Sequence, residues 1–180
     1  MNFAGFFARW RVRLGYPLAA VVLWFARPTP ASILAGAIVG TIGLWVRARA
    51  AGHLHKQEIL TTTGPYAYTR NPLYLGSFVL TSGAAIAAHS WISALILFVY
   101  FAVFYSFVMR REEGELYRRH GDAFRDYAQT VPLFLPRLTP AKLSAASAYA
   151  GTFSFVQYKK NREYRAAIGF LLLLVVFVII

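Results

Sequence analysis

The sequence predicts an all-α fold, a polytopic membrane helical bundle with about five transmembrane helices, and three observations carry that expectation. The chain is 58% hydrophobic and 14% charged over 180 residues, whereas a soluble domain has about a quarter of its residues charged. Leu73 to Met109 contains no Lys, Arg, Asp or Glu; its roughly 37 residues make about 55 Å of helix, nearly two crossings of a ~30 Å hydrocarbon core. Basic residues outnumber acidic ones, 19 to 7, and they gather in loops that alternate with the apolar runs.

Taken in order, the first candidate span is 14–26. It is short, and the aromatic-basic stretch Phe6 to Arg13 lengthens it through arginines that snorkel to the interface. Arg9, Arg11 and Arg13 ahead of Tyr16 to Ala26 also imitate a signal peptide with a cleavage point near Ala26. The turn Arg27 to Pro30 joins this run directly to another apolar segment, which favours a hairpin. The second span is 31–46, where Gly36, Gly40 and Gly43 permit close helix contact in lipid. Gly52 to Asn71 reads as a polar loop. Asn71 as N-cap and Pro72 at the first helical position start the third span, 73–89, and 91–109 is the fourth.

Beyond it, Arg110 to Pro140 forms a juxtamembrane block. Leu116, His120, Phe124 and Tyr127 recur there at helical spacing, which predicts amphipathic helices lying in the interface, broken at Gly121-Asp122. Ala141 to Phe155 is rich in Ala and Ser and reads at most as a further surface helix. The last candidate span is 164–180, with an interfacial or partner-buried tail as the alternative. No boundary divides the chain, so 1–180 reads as a single membrane domain.

The charge pattern sets an orientation. Arg9, Arg11 and Arg13, then Arg47, Arg49, Lys56 and Arg70, then two clusters between Arg110 and Arg165 fall on one side, and the opposite loops contribute Arg27. By the positive-inside rule the N-terminus and these loops are cytoplasmic. The net charge of +12 therefore needs no nucleic-acid partner, which would call for aromatics interleaved with basic residues on a solvated face. With no cysteine, a disulfide, a thiolate zinc site and a cysteine nucleophile are excluded. His53 and His55 would point to different faces of a helix and no third ligand is placed beside them, so no metal site is expected.

Two polar blocks flank the central hairpin. The first is GPYAYTRNPLYLG, Gly64 to Gly76; the second begins at Glu112 and Glu113. An ionised side chain costs about 2.5–3.5 kcal/mol at the centre of a spanning helix, so charges at span ends call for a partner, a pore or a ligand. Singly, each feature has a plain structural reading. Asn71-Pro72 is a helix start, Arg70 a snorkelling arginine, and Tyr66, Tyr68 and Tyr74 an aromatic belt. Glu112 and Glu113 are a solvated helix end beside Arg110 and Arg111. Two such blocks at one membrane face make a candidate site.

Together the blocks resemble the isoprenylcysteine carboxyl methyltransferase and phospholipid methyltransferase superfamily. Leu60, Thr62, Gly64, Tyr66, Arg70, Pro72, Tyr74 and Gly76 match its first motif, L-x-T-x-G-x-Y-x-x-x-R-H-P-x-Y-x-G. Glu112, Glu113, Gly121, Tyr127, Val131 and Pro132 match the second, E-E followed by G-x-x-Y-x-x-Y and V-P. Asn71 stands where many members have His, Phe124 where the first Tyr is common, and His120 where Phe is usual. Asn71 keeps an acceptor and donors but cannot titrate. The resemblance covers roughly residues 52 to 137.

It implies a membrane-embedded S-adenosylmethionine-dependent methyltransferase with a cytoplasmic cofactor pocket. The implied acceptor is a lipophilic small molecule or a lipidated partner that arrives through the membrane lipid; nothing in the sequence sets an oligomeric state. Arg70, Tyr74 and Glu112 are the implied catalytic residues. Leu60, Gly64, Tyr66, Asn71, Pro72, Leu75, Glu113 and Tyr127 are the implied cofactor-binding set.

The residue types suit the chemistry. Methyl transfer from a sulfonium is an in-line displacement in which positioning supplies much of the rate, and an ionised carboxylate acceptor needs no general base. Arg70 could pair with a carboxylate of donor or acceptor. Glu112 or Glu113 could meet the donor's amino group, ribose hydroxyls or sulfonium, and Tyr66, Tyr74 and Tyr127 could pack on adenine or face the cation. Two rivals remain: an NADPH-dependent sterol-type reductase, whose members are longer, and a non-catalytic membrane module.

Overall fold

The computed structural model describes residues 14–15, 17–55, 59–142 and 151–180. The proposed lengthening of the first span by Phe6 to Arg13, and most of Ala141 to Phe155, fall outside the described residues. Among those described the protein is helical, without a β-strand. Its elements are α1 at 17–25, α2 (Pro30–His53), a 3-10 turn (Gly64–Ala67), α3 (Pro72–Ala88), α4 (Trp91–Thr130), α5 (Phe155–Lys160) and α6 (Tyr164–Ile179). Each candidate span overlaps a helix, though α2 and α4 run beyond the expected ends. By length and composition α2 and α4 can cross a membrane, while α3 and α6 are shorter apolar helices.

The chain groups into two compact units. One comprises the described parts of Met1–Ile42, Phe78–Glu112 and Ile168–Ile180. Here glycine brings α2 and α3 into backbone contact. A Cβ on Gly83 would lie 2.6 Å from Gly40 N and 2.7 Å from Gly36 O, and one on Gly36 would lie 2.5 Å from Gly83 O. This is the close helix approach that small residues permit in lipid. Ala26, Ala87, Ala88 and Phe177 form the core beside it. First-turn serine hydroxyls find carbonyl acceptors across the bundle, Ser32 Oγ on Ala87 O at 3.1 Å and Ser93 Oγ on Val22 O at 2.9 Å.

Large apolar residues point outward in stripes. Trp91, Leu95, Val99, Val103 and Phe107 recur every fourth residue along α4; Leu34, Ile38, Ile42 and Trp45 recur every third or fourth along α2, and all are exposed. On α6 Leu171, Leu172, Val175, Val178 and Ile179 are exposed as well. Such continuous patches would drive aggregation in water; against hydrocarbon they are the appropriate surface, because the helices satisfy their own backbone hydrogen bonds.

The other unit comprises the described parts of Gly43–Ser77 and Glu113–Ala167, and it corrects three expectations from the sequence. First, α2 does not stop at Val46 but runs to His53, since Arg47 has buried partners along this turn rather than a place in a solvated loop. Second, residues 110–120 do not start a new helix after Met109 but continue α4 directly, and a second helical stretch to Thr130 follows across a kink at Gly121 (φ 51°, ψ −123°), a positive-φ conformation that glycine adopts without a Cβ penalty. The break expected at Gly121-Asp122 is therefore present. Third, the apolar face beyond it is covered by protein. Phe124, Tyr127 and Val131 pack on Leu60, with Leu116, Ala123, Ala128 and Ala141 around them.

Candidate functional site

Two polar blocks within this second unit fold onto each other, and the chemistry of their residues explains how. At Gly64-Pro65 the chain makes the 3-10 turn, with Pro65 supplying the preset φ of a first helical position. Gly64 has φ +59°, and a Cβ there would lie 2.5 Å from the His53 ring. Glycine is thus required twice, for the backbone and for the imidazole packed on it. His53 Nδ1 donates to Arg49 O at 2.8 Å, so this histidine is a buried packing residue.

After the turn, residues 67–71 run alongside 132–141 and exchange backbone hydrogen bonds. Arg70 N donates to Pro132 O, Arg137 N to Tyr68 O and Ala141 N to Ala67 O, each at 2.9 Å. Asn71 Nδ2 donates to Leu133 O at 3.0 Å. The Thr69 hydroxyl, 1% exposed, meets Phe134 O at 2.9 Å and Leu133 O at 3.3 Å. The Asn71 amide therefore ties α3's first turn to the opposite block, a role beyond the helix cap that the sequence suggested.

Tyr127 closes the joint. It is 2% exposed and its hydroxyl donates to Tyr66 O at 2.7 Å. Burial pushes its phenol above the usual tyrosine pKa, with the positive charge of Arg70 acting in the opposite direction, so it stays a protonated donor across the physiological range. Removing that hydroxyl strands a buried carbonyl, and Tyr127→Phe is expected to destabilise the fold by about 1–3 kcal/mol. Chemical or thermal unfolding of the two proteins measures it; an unchanged midpoint would show that water replaces the hydroxyl.

An ion pair lies at the joint. Arg70 Nη1 bonds Glu113 Oε1, with side-chain exposures of 16% and 24%. The Arg70 Nε is buried without a hydrogen-bond partner. Two charges of opposite sign are thus fixed side by side at the edge of the joint, incompletely satisfied and partly open to solvent.

The sequence-derived candidates separate accordingly. Arg70, Asn71 and Glu113 meet at this joint. Leu60, Tyr66, Tyr127 and Pro72 form its buried frame, with Pro72 almost completely buried, and Gly64 is half-buried in the turn beside them. Tyr74 and Leu75 sit half-buried in the first turn of α3, and Glu112 is exposed on α4. Neighbours on a helix are rotated by about 100°, which turns Glu112 away from the direction that Glu113 takes.

Sequence reasoning missed a second pair. Arg47 on α2 holds Glu163 in a two-point arrangement, Nε to Oε2 and Nη2 to Oε1, both at 2.9 Å. It also reaches Leu73 O at 3.4 Å and the Ser77 hydroxyl. A Cβ on Gly76 would lie 2.6 Å from Arg47 Cγ, so the glycine that ends the first motif makes room for this arginine. The segment from 151 docks nearby. Ser154 N donates to Gly52 O at 2.9 Å, Asn161 Nδ2 bonds Ala51 O and Leu54 O at 2.9 and 3.0 Å, and Thr63 Oγ1 reaches Gly151 O at 2.9 Å. The one signal in the sequence was Glu163 itself, an isolated acid in a run of Lys and Arg. Among the described residues, no three His, Cys, Asp or Glu side chains converge.

Comparison with known proteins agrees with the two-block pattern. The family model described as phospholipid methyltransferase matches residues 32–123, half of the chain. The nickel-cobalt-cadmium resistance protein NccN of Alcaligenes xylosoxydans xylosoxydans is 34% identical over 139 residues, 72% of this chain and 64% of that protein. The cobalt-zinc-cadmium resistance protein CzcN of Cupriavidus metallidurans is 30% identical, over 72% and 63%. The protein-S-isoprenylcysteine O-methyltransferase of Schizosaccharomyces pombe is 31% identical over 86 residues, 48% of this chain and 36% of that enzyme. The chain thus spans less than two thirds of the length of these relatives. No solved structure matches it. The outward apolar stripes and the motif-bearing joint meet in one conclusion: the chain is a membrane protein and belongs to the phospholipid methyltransferase family.

Proposed function

We propose that the protein is a multi-pass, S-adenosylmethionine-dependent methyltransferase that binds its donor on the cytoplasmic side at the Arg70–Glu113 joint. The acceptor is a carboxylate, isoprenylcysteine-like, or another nucleophile on a lipophilic molecule. The observation that carries this reading is the ion pair itself. A donor with an α-amino-acid end brings a carboxylate and an ammonium together. An Arg and a Glu already adjacent can exchange their mutual bond for two matched ones, carboxylate on Arg70 and ammonium on Glu113, with no net charge to desolvate. The buried Arg70 Nε without a partner marks a donor left for such a ligand. When bound, S-adenosylmethionine supplies an electrophilic methyl group on a sulfonium.

The remaining motif residues set the geometry. Tyr127, Val131 and Leu60 hold the two blocks at fixed separation, and the backbone bonds of 67–71 to 132–141 fix where the Arg70 side chain emerges. Positioning of this kind is the main contribution that an in-line methyl transfer asks of a protein. The cytoplasmic assignment rests on the basic residues of the loops around the joint. The acceptor assignment rests on the isoprenylcysteine O-methyltransferase likeness.

Ligand-dependent unfolding tests the reading. S-adenosylhomocysteine at 100-fold its Kd stabilises a folded protein by about 2.7 kcal/mol, so the thermal midpoint should rise with it and not with NADPH. A rise with NADPH alone would favour the reductase; no rise with either would favour a non-catalytic module. A second reading comes from the names of the two metal-resistance relatives: the acceptor is a membrane component whose methylation supports resistance to divalent metal ions. Loss of nickel or cobalt tolerance on deletion, restored by the wild-type gene but not by an Arg70→Ala copy, is the expected result.

A further inference from the structure

The segment that leads into α6 carries a surface that the proposed methyl transfer does not use. From Phe153 to Arg165 the sequence reads FSFVQYKKNREYR. Lys159, Lys160, Arg162 and Arg165 are all exposed. The sole acidic residue among them, Glu163, has a side chain only 12% exposed and is neutralised inward by Arg47. The outward charge of this ridge is therefore purely cationic. Apolar groups sit among the cations: Phe155 and Val156 are 59% and 73% exposed, and Phe153 and Tyr164 are exposed as well. Lys159 Nζ lies 5.0 Å from the centre of the Phe155 ring, and Phe155 stacks on Tyr158 with ring centres 5.5 Å apart, so the apolar and basic groups form one surface.

We infer that this ridge is a binding surface for anionic phospholipid headgroups. Three features select a lipid over an acidic protein or a nucleic acid. The ridge continues directly into α6, whose exposed Ile168, Leu171 and Leu172 belong in hydrocarbon, which sets its basic side chains at headgroup depth. Aromatic and β-branched side chains beside the cations can enter the acyl boundary while the cations meet phosphates. The ridge is also held to the protein rather than free to wander, by Asn161 on Ala51 O and Leu54 O and by Glu163 on Arg47, so it presents its charges to the leaflet as a fixed array. A cation close to an anionic leaflet gains about fivefold in association, and the effect fades within a Debye length.

The chain has no cysteine, so a fluorophore can be placed at Val156→Cys alone. The labelled full chain is incorporated into nanodiscs of phosphatidylcholine and phosphatidylglycerol in which one lipid or the other carries brominated chains. The expected result is quenching by brominated phosphatidylglycerol well above its mole fraction, at least a twofold enrichment. That enrichment should fall to the bulk value in 0.5 M salt (roughly a 4 Å Debye length) and in the Lys159→Gln/Lys160→Gln/Arg165→Gln protein. Quenching in proportion to mole fraction would overturn the inference, as would enrichment that survives both salt and neutralisation. Absence of quenching by either lipid would also overturn it and would point to a soluble acidic partner. The salt arm needs no charge variant and stands if the triple substitution does not fold. No arm depends on methyl transfer.

Discussion

Arg70→Ala and Glu113→Ala are each expected to abolish the thermal shift given by S-adenosylhomocysteine and to reduce methyl transfer by a hundredfold or more, while the unliganded protein still expresses and unfolds cooperatively. The pair is joined at a single point and is 16% and 24% exposed, so its own contribution to stability is smaller than that of the two-point Arg47–Glu163 pair. Its contribution to a zwitterionic ligand is larger, because truncating one partner of a buried charged contact costs about 2–5 kcal/mol of binding. The exchanged pair, Arg70→Glu with Glu113→Arg, separates the two roles. A mere latch between the blocks would be restored by the exchange, fold and activity alike. A donor site would regain the unliganded stability yet remain unresponsive, since the carboxylate and ammonium of the ligand would meet like charges. Normal turnover in the exchanged protein would remove Arg70 and Glu113 from the site. Glu112→Ala serves as the adjacent control. Its exposed position on α4 predicts a smaller loss of donor affinity than Glu113→Ala, and an equal or larger loss would reassign the donor contact to Glu112.

Glu163→Ala is expected to give the largest loss of stability, about 3–5 kcal/mol, because it leaves Arg47 charged and without its principal partner in a place that water reaches poorly. The side chains of Arg47 and Glu163 are 19% and 12% exposed, and the remaining partners of Arg47, Leu73 O and Ser77 Oγ, are neutral. Glu163→Gln keeps a hydrogen-bond acceptor of similar shape and should fall between the two. The double substitution Arg47→Met/Glu163→Leu removes both charges and should recover much of the loss, since an apolar pair often replaces a buried ion pair at little cost. Denaturation midpoints of the four proteins decide the matter. If Glu163→Ala changes the midpoint by less than about 1 kcal/mol, the pair behaves as a solvated surface bridge and does not anchor the segment before α6.

The helices that end at prolines and polar turns were legible from composition alone. Pro72 starts α3, His89-Ser90 separates α3 from α4, and Gly121 carries the break after Met109, because proline and glycine act through their own backbones. The glycines of α2 were legible as a contact face for the same reason. The extension of α2 past Val46 was not, since Arg47 looks like a loop cation until Glu163, 116 residues away, is brought beside it. Nor was the division among the motif residues. Tyr66 and Tyr127 have the same chemistry on paper as Tyr74, yet burial and one hydrogen bond make them a clamp.

The sequence by itself therefore determined the helical class, the apolar phase it belongs in and the two polar blocks that make the candidate site, since each follows from local composition and spacing. Only the tertiary structure decided that Glu113 rather than Glu112 meets Arg70, that the carbonyls of 132–134 receive the first block, and that Glu163 belongs to Arg47. Those are pairings between residues far apart in the chain, and their partners are chosen by direction and burial, which a one-dimensional pattern does not contain.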